Sequence, residues 1–457
     1  MAEKKSGGFK TFLLVLVTII LAFVFGCAAY LMLVPESTLF GLKYASNTKK
    51  ETVERINGGE LLRLKDYSKI IINAENGKGH THVKINAGEI AGMTNSQIVL
   101  QKNTKGYMRT NAKSEYSLSC VENGSILTIN ISEPNYNFLQ IANSTVLSLN
   151  LYTATDNLTG TNIEINTGSG NVTIGGQITP TEAPKTLSMA SVKVNTTSGS
   201  VDIQNRAQVN GAVSLITKTG TLRINGDKTF ASLYAESNTG KILTDNLTTN
   251  VNLKTFNSHI KLGNIIGNVE FEGQSGIFEM GNVSGKLKSE NKIKYTTVKA
   301  GVVSGAVTLI NDEGSFAVDI QETKGDLAIR SGAKPIKIAS VGGKAEIETT
   351  SGSITIKKSE TNNQNIILKT KSGTILANYD VVLGDNTFVT TSGMVKVKFK
   401  PEAHFVLNAS SEKGRVYRTW LDSNENPLVN VAVGAENSSN YVSITSKSGQ
   451  IRLERVE

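Results

Sequence analysis

The histidines His80 and His82, which are separated by a single residue, are the side chains most suited to chemistry. Side chains two positions apart on a strand lie on the same face, and Glu75 is close in sequence. Such a pair can contact a metal ion, but tight zinc sites have three or four protein ligands. The remaining histidines, His259 and His404, are far away in the sequence. The pattern therefore predicts solvent-facing imidazoles and no metal site.

Two acidic pairs, Asp312-Glu313 and Glu346/Glu348, are the best candidates for a catalytic pair of carboxylates. Glycoside hydrolysis needs two carboxylates about 5–10 Å apart. Glu346 and Glu348 alternate with Ile347, however, which predicts an outward ladder on a strand. We therefore predict no catalytic residues, with a carbohydrate-active enzyme kept as an alternative.

A glycine-rich turn, Gly168-Ser169-Gly170, has the composition of a phosphate-binding loop. It precedes an alternating stretch at 171–174 instead of a helix, so no helix N-terminus is available to receive an anion. We interpret it as a turn between strands, and the sequence predicts no cofactor.

An uncharged stretch occupies residues 11–34 and follows three lysines near the N-terminus. As a helix rising 1.5 Å per residue it spans about 36 Å, which exceeds a hydrocarbon core of about 30 Å. The positive-inside rule places residues 1–10 in the cytoplasm and exports the remainder. We predict a single-pass signal-anchor in the cell membrane. A cleaved signal peptide, with its shorter apolar core, is the alternative.

The chain contains two cysteines, Cys27 in the apolar stretch and Cys120 beyond it. They cannot pair if Cys27 lies in lipid, so we expect no disulfide within the exported part. Cys27 follows the small residue Gly26, which leaves lipidation at this cysteine as a second alternative to plain anchoring.

The composition favours short strands joined by turns, with 42 glycines but only 7 prolines among 457 residues. Lysines and acids are interleaved, and the formal net charge is +9. Nucleic-acid binding is not predicted, because no basic stripe alternates with aromatic residues. The basic excess is expected first of all as a generic solvated surface, with anionic surface polymers or lipid headgroups as the alternative partners.

A repeat of an alternating strand, a Ser/Thr-Gly turn and a second alternating strand is visible from about residue 161. The glycines of successive turns are 20 or 21 residues apart in the clearest copies. We expect glycine there because each turn needs a backbone conformation that glycine tolerates best. The predicted structural turn glycines are Gly199, Gly220, Gly240, Gly276, Gly352, Gly373, Gly393 and Gly449.

This period predicts an all-β fold, a parallel β-helix-like β-solenoid with about 18–21 residues per coil, behind the transmembrane helix. Stacking pairs each strand with its equivalents in the coils above and below, about 4.8 Å apart. A tandem of β-sandwiches is the rival fold, and it would need antiparallel hairpins and a longer period. The expected inward positions include Val213, Leu215, Leu222, Ile224, Val269, Phe271, Ile277, Ile347, Ile354 and Ile356.

The predicted organisation has five parts. They are a cytoplasmic tail (1–10), the transmembrane helix (11–34), a linker (35–56), an N-terminal β segment that opens the solenoid (57–160) and the repeats (161–457). Within the repeats, two stretches with prolines, 176–190 and 421–440, break the period and are expected to be loops or a hairpin projecting from the stack.

The Thr-Ser-Gly-Ser-Ile-type turns behind an N-terminal anchor, as at 349–354, resemble the bacterial putative-adhesin family. The head domain of putative autotransporter adhesins is similar. The likeness covers residues 66–457, with opening strands near 70–85 and 161–174. The resemblance implies an exported, non-catalytic surface protein, and the family has no catalytic residues to carry over.

The leading functional hypothesis is therefore a membrane-anchored, extracytoplasmic scaffold for adhesion or macromolecule binding. Its expected partner is a cell-wall or surface polymer or another envelope protein. The alternatives are an envelope structural or stress-sensing component that acts through a membrane partner, and a carbohydrate-active enzyme.

Overall fold

The computed structural model describes residues 7–34, 42–56, 59–74, 81–88, 96–109, 117–132, 142–151, 158–177, 186–359, 365–420, 426–434 and 438–456. In these ranges the chain forms one α-helix, α1 (Gly7–Leu33), a short 3-10 helix (Leu64–Asp66), and strands throughout the rest. The strands are β1 (Leu42–Val53), β2 (Arg55–Ile56), β3 (Glu60–Leu61), β4 (Lys69–Ala74), β5 (Thr81–Ala87), β6 (Gln97–Arg109), β7 (Ser117–Asn123), β8 (Ile126–Ser132), β9 (Ala142–Leu151), β10 (Leu158–Thr167), β11 (Val172–Gln177), β12 (Leu187–Thr196), β13 (Val201–Ile203), β14 (Ala207–Val209), β15 (Ala212–Thr217), β16 (Leu222–Ile224), β17 (Lys228–Ser237), β18 (Lys241–Thr244), β19 (Leu247–Leu262), β20 (Ile265–Ile266), β21 (Val269–Met280), β22 (Leu287–Glu290), β23 (Ile293–Val303), β24 (Val307–Ile310), β25 (Ala317–Thr323), β26 (Leu327–Ser331), β27 (Ile336–Val341), β28 (Ala345–Thr349), β29 (Ile354–Ser359), β30 (Ile366–Thr370), β31 (Ile375–Tyr379), β32 (Asp385–Thr390), β33 (Val395–Phe399), β34 (Phe405–Ser411), β35 (Val416–Arg418), β36 (Leu428–Val433), β37 (Tyr441–Ser446) and β38 (Ile451–Arg455).

Helix α1 is long and apolar enough to cross a membrane, and an 18-residue window within Lys10–Leu33 has a mean hydropathy of 2.9. The Thr18 hydroxyl group donates a hydrogen bond to the Leu14 carbonyl oxygen at 2.8 Å, so this polar group has its partner within the helix. The same length and composition would serve an anchor or a signal sequence.

The remaining strands, apart from the antiparallel pair β2 and β3, join in one sheet that winds as a solenoid. Each coil contributes a strand to face A and one to face B, and most neighbours are parallel. Face A contains β4, β10, β12, β15, β17, β22, β24, β26, β28, β30, β32 and β37 together with the first halves of β19 and β21. Face B contains β5, β11, β13, β16, β18, β23, β25, β27, β29, β31, β33 and β38 together with the second halves of β19 and β21.

The core is a set of apolar ladders between these faces, and all their members are buried. Ile242, Ile260 and Phe278 are successive partners at a spacing of 18 residues, while Ile354, Ile375 and Val395 are spaced by 21 and 20. The period of 18–21 residues per coil and the β-solenoid are therefore confirmed. One face-B ladder runs through Val172, Val201, Leu222, Ile242, Ile260, Phe278, Val298, Val318, Ile336, Ile354, Ile375, Val395 and Ile451.

The predicted inward positions are buried except for Ile277, whose prediction is wrong. Ile277 is 37% exposed, and its neighbour Phe278 is fully buried and occupies the ladder instead. In the other coils the inward residue comes two positions after the turn glycine, as Ile242 does after Gly240. Ile277 comes only one position after Gly276, so period-two alternation points it outward.

The turn glycines lie where one coil approaches the next. A Cβ built on Gly373 would be 2.1 Å from the Gly352 carbonyl oxygen, and one on Gly393 would be 1.8 Å from that of Gly373. Of the eight predicted glycines only Gly276 has φ in the left-handed region, at +114°. The expected reason for glycine, an unusual backbone conformation, is therefore replaced by close backbone contact between coils at the other seven positions.

The N-terminal end of the solenoid is covered by antiparallel strands. β5 pairs in parallel with β9, β9 pairs antiparallel with β6, and β6 pairs antiparallel with β1. The expected linker at 35–56 therefore contains β1, whose lysines and glutamate are of the kind that edge strands carry. Residues 35–41 lie outside the described part.

The C-terminal end departs from simple sequence order. β37 and β38 insert between β32–β33 and β34–β35, so the last coil of the chain is not the last coil of the stack. In the expected insertion at 421–440, β36 forms an antiparallel hairpin strand on β34. The other expected insertion, 176–190, is narrower than expected because β11 continues to Gln177 and β12 begins at Leu187. Residues 178–185 lie outside the described residues.

Candidate binding groove

The predicted chemistry-bearing residues do not converge on one site. His82 Nδ1 accepts a hydrogen bond from the Asn171 backbone N–H at 3.0 Å and so joins two coils. His80 and Glu75 lie outside the described residues. Within the described ranges no group of three or more His, Cys, Asp or Glu side chains is placed to hold a metal ion.

The acidic pairs lie in ion-pair ladders on the outside of face A. Arg330 Nη1 is 3.4 Å from Asp312 Oδ1, and its Nε is 3.6 Å from Glu348 Oε2. Lys369 Nζ is 3.8 Å from Glu346 Oε1. These carboxylates join neighbouring coils, as the predicted outward ladder requires, and they contact cations instead of forming a cleft.

A groove runs along the outside of face B near the N-terminal part of the repeats. Two adjoining cavities of about 330 and 480 Å³ share Arg223 in their lining. The floor is one outward column of register partners: Thr173, Asp202, Arg223, Leu243 and Lys261. Because each member belongs to a different coil, the groove runs parallel to the stacking axis.

The walls of the groove are fixed by hydrogen bonds between coils. Asn225 Nδ2 donates to Asp202 Oδ1 at 2.5 Å, and Asn246 Nδ2 donates to Asp227 Oδ1 at 3.0 Å. The Gly226 N–H donates to Asp245 Oδ2 at 2.6 Å. The acidic groups of the groove therefore have protein partners, and the wall positions are set before any ligand arrives.

Two cations stand exposed on the groove floor. Arg223 and Lys261 make no ion pair with the described residues, and Leu243 separates them in the column. At about 4.8 Å per coil, their backbones lie roughly 10 Å apart along the axis. The hydroxyl groups of Ser200 and Thr221 add polar groups to the lining, whereas the hydroxyl group of Thr244 is buried. The groove thus presents two cations and three carboxylates together with hydroxyl and amide groups.

Ion pairs between coils elsewhere on the solenoid lower the pKa of two glutamates and so favour their charged form. Hydrogen bonds from Lys69 and Lys193 lower the pKa of Glu164, which contacts both at 2.7 and 3.0 Å. The hydrogen bond from Lys299 lowers the pKa of Glu279, at a distance of 2.8 Å. These groups are on outer ladders, where exposed pairs contribute little individually.

The sequence interpretation missed the groove, although a usable signal was present. Asp202, Arg223 and Leu243 each follow a turn glycine by three positions, namely Gly199, Gly220 and Gly240. Aligning the coils on the glycines would place these side chains in one outward column. The depth of the groove depends on the corner turns, which periodicity does not describe.

The family described as Toastrack DUF4097 matches residues 87–337 and 336–454. The chain belongs to this family. The earlier resemblance to bacterial adhesins, which rested on the Ser/Thr-Gly turns, is confirmed by this match. No curated protein matches the Toastrack chain significantly.

Several solved structures are similar to this Toastrack chain at low identity. A putative cell adhesion protein from Clostridium sporogenes is 8% identical, with 90% of this chain and 100% of that chain covered and a TM-score of 0.16. A putative lipid binding protein from Parabacteroides distasonis is 13% identical, with 89% and 96% covered and a TM-score of 0.20. A putative adhesin from the same species is 12% identical, with 72% and 96% covered and a TM-score of 0.19.

Proposed function

We propose that this Toastrack protein is a membrane-anchored surface scaffold whose face-B groove binds an extended, hydroxyl-rich polymer such as a cell-surface polysaccharide. The observation that carries the proposal is the direction of the groove. It follows one column of side chains across five coils, from Thr173 to Lys261. A polymer lying along the axis would meet an equivalent position about every 4.8 Å.

The chemistry of the groove favours binding over catalysis. Asp202, Asp227 and Asp245 each accept a hydrogen bond from a neighbouring coil. A catalytic pair needs one carboxyl group free to protonate the substrate, with a second at a defined separation. The groove instead presents two cations, three hydrogen-bonded carboxylates, and hydroxyl and amide groups, which is a mixed polar lining suited to the hydroxyl groups of a polymer.

The anchor in this proposal is α1, with the solenoid on the outer side of the membrane. Three lysines precede the uncharged stretch, and the helix is long enough to span a bilayer. Mass spectrometry of the membrane fraction should find a chain that begins at Met1 or Ala2. A mature chain that begins at Cys27 would contradict plain anchoring and support lipidation.

The binding role can be tested with the full-length protein in detergent and purified cell-wall polysaccharide in a sedimentation assay. The double variant Arg223→Gln/Lys261→Gln should weaken binding at least tenfold. The matched control is Lys254→Gln/Lys344→Gln, which removes two exposed cations away from the groove and should retain binding. Equal binding by both double variants would rule out the groove as the polymer site.

A further inference from the structure

The outward column of face B continues beyond the groove with alternating charge. Lys261, Glu279, Lys299, Asp319 and Lys337 are successive register partners, so each cation has an acidic neighbour in the next coil. Lys299 Nζ is 2.8 Å from Glu279 Oε1. Opposite charges on neighbouring strands stabilise a sheet, whereas like charges directly opposite destabilise it. From Glu279 to Lys337 the column thus has the arrangement expected for stability alone.

The alternation ends near the C-terminal end of the solenoid. After Thr355 and Leu376, the next two members of the column are Lys396 and Arg452, which are direct register partners. Two cations therefore stand on adjacent strands, about 4.8 Å apart at the backbone. A local break of a rule that the rest of the same column follows is a sign of a functional constraint.

Among the described residues, the Glu454 carboxylate is the one that contacts all three cations of this group. Its Oε1 is 2.8 Å from Lys396 Nζ and 2.7 Å from Arg452 Nε, and its Oε2 is 3.5 Å from Lys398 Nζ. The Glu454 side chain is 14% exposed, while Lys396, Lys398 and Arg452 are 26%, 35% and 53% exposed. The carboxylate is therefore the least exposed member, and the cations are oriented by it but outnumber it.

We propose that Lys396, Lys398 and Arg452, positioned by Glu454, form a binding site for the phosphate groups of an anionic polymer. The proposal rests on the proposed function of the protein as a polymer-binding scaffold and assigns a charge class to its ligand. Arg452 contacts Glu454 through Nε, and its other guanidinium N–H groups, which have no partner among the described residues, can donate to an acceptor. Clusters of Arg and Lys recognise phosphate through charge-assisted hydrogen bonds.

The position of the cluster favours a polymer over a small anion. Lys396 and Arg452 continue the outward column that forms the groove floor, so one chain lying along face B would pass both sites. The next coil adds Tyr417 as the register partner of Arg452, and Arg415 two positions before it is exposed. The basic side chains thus extend over three successive coils.

The test uses the full-length protein in detergent with inorganic polyphosphate as the probe, over a series of salt concentrations. The double variant Lys396→Gln/Arg452→Gln should bind polyphosphate at least tenfold more weakly. For this variant the slope of log Kd against the logarithm of the salt concentration should decrease by about two, since two phosphate contacts are removed. The control Lys299→Gln/Lys337→Gln removes the same charge from the same column and should change affinity less than twofold. Circular dichroism spectra and thermal melting curves like those of the unchanged protein should show that both variants are folded.

Equal weakening in both double variants, or no weakening in the cluster variant, would overturn the site. Vesicles of phosphatidylcholine and phosphatidylglycerol in equal amounts form the second arm. Binding to these vesicles through Lys396 and Arg452 without binding to polyphosphate would overturn the assignment to a polymer. A failure of the groove proposal can be distinguished from a failure of the phosphate site. The variant Arg223→Gln/Lys261→Gln should lose polysaccharide binding but leave Lys396-dependent polyphosphate binding largely intact.

Discussion

Replacing Gly373 with alanine tests the explanation given for the turn glycines. Its backbone φ is outside the left-handed region, so a purely conformational argument expects almost no cost. The added Cβ, however, would lie 2.1 Å from the Gly352 oxygen and 2.6 Å from its carbonyl carbon. Both atoms are backbone, so the two coils must separate by about 1 Å to restore ordinary contact distances near 3.3 Å.

The cost follows from what holds this corner together. Thr370 Oγ1 accepts the Gly373 N–H at 3.0 Å, and Thr370 contacts the Gly352 oxygen at 3.5 Å. Overpacking of a tight site costs about 1–3 kcal/mol, and each weakened hydrogen bond adds about 1 kcal/mol. We therefore expect Gly373→Ala to destabilise the neighbouring coils by about 3 kcal/mol.

Native-state hydrogen exchange is the appropriate assay, because long repeat arrays do not unfold in two states. The amides of Ile354 and Ile375, which donate to the coil beyond at 2.8 and 2.9 Å, should exchange about a hundredfold faster. Gly160→Ala is the control, since nothing lies within 4 Å of its Cβ position and its φ is not left-handed. If the two variants exchanged alike, close packing would not be the reason for glycine at the turns.

Three further outcomes are expected. Ile375→Asp should cost several kcal/mol because it buries a carboxylate in an apolar ladder, whereas Thr374→Asp should cost within about 0.5 kcal/mol; equal chemical-denaturation or exchange effects would contradict the period-two assignment. Burial and the charge of Glu51 raise the pKa of Cys120 to about 11, so thiol reagents at neutral pH should label it slowly in the folded protein and quickly, without reductant, after unfolding. Glu164 has a lowered pKa, so its contribution to stability is present above the unfolded pKa of about 4.3 and is lost as pH falls through the lower folded pKa; Glu164→Gln should flatten this acid dependence, and an unchanged profile would exclude the contribution.

The repeating part of the fold was predictable because its information is local and periodic. Alternation identified Leu215 and Ile354 as inward, and the glycine spacing gave the coil length. Ile277 was misassigned because it directly follows the turn glycine, whereas the inward residue comes two positions after that glycine, here at Phe278, as in the other coils. A single-residue slip reverses the face of every side chain in a strand, so the phase must be counted in the same way from every turn.

The ends of the solenoid were less predictable because they depend on contacts distant in sequence. β1 is rich in charged and polar residues and resembles a linker until its antiparallel partner β6 is known. The insertion of β37 and β38 before β34 and β35 joins strands that no local pattern relates. The groove and the Lys396–Arg452 pair likewise arise from register between coils.

The most direct test of the central claim is hydroxyl-radical footprinting of the full-length protein with and without purified cell-wall polysaccharide. The groove assignment predicts protection of side chains on the outside of face B, including Leu243, while Tyr234 and Ile367 on the outside of face A stay unprotected. Protection confined to face A, or no protection at polysaccharide concentrations that saturate binding, would contradict the proposal that this Toastrack scaffold binds its polymer along face B.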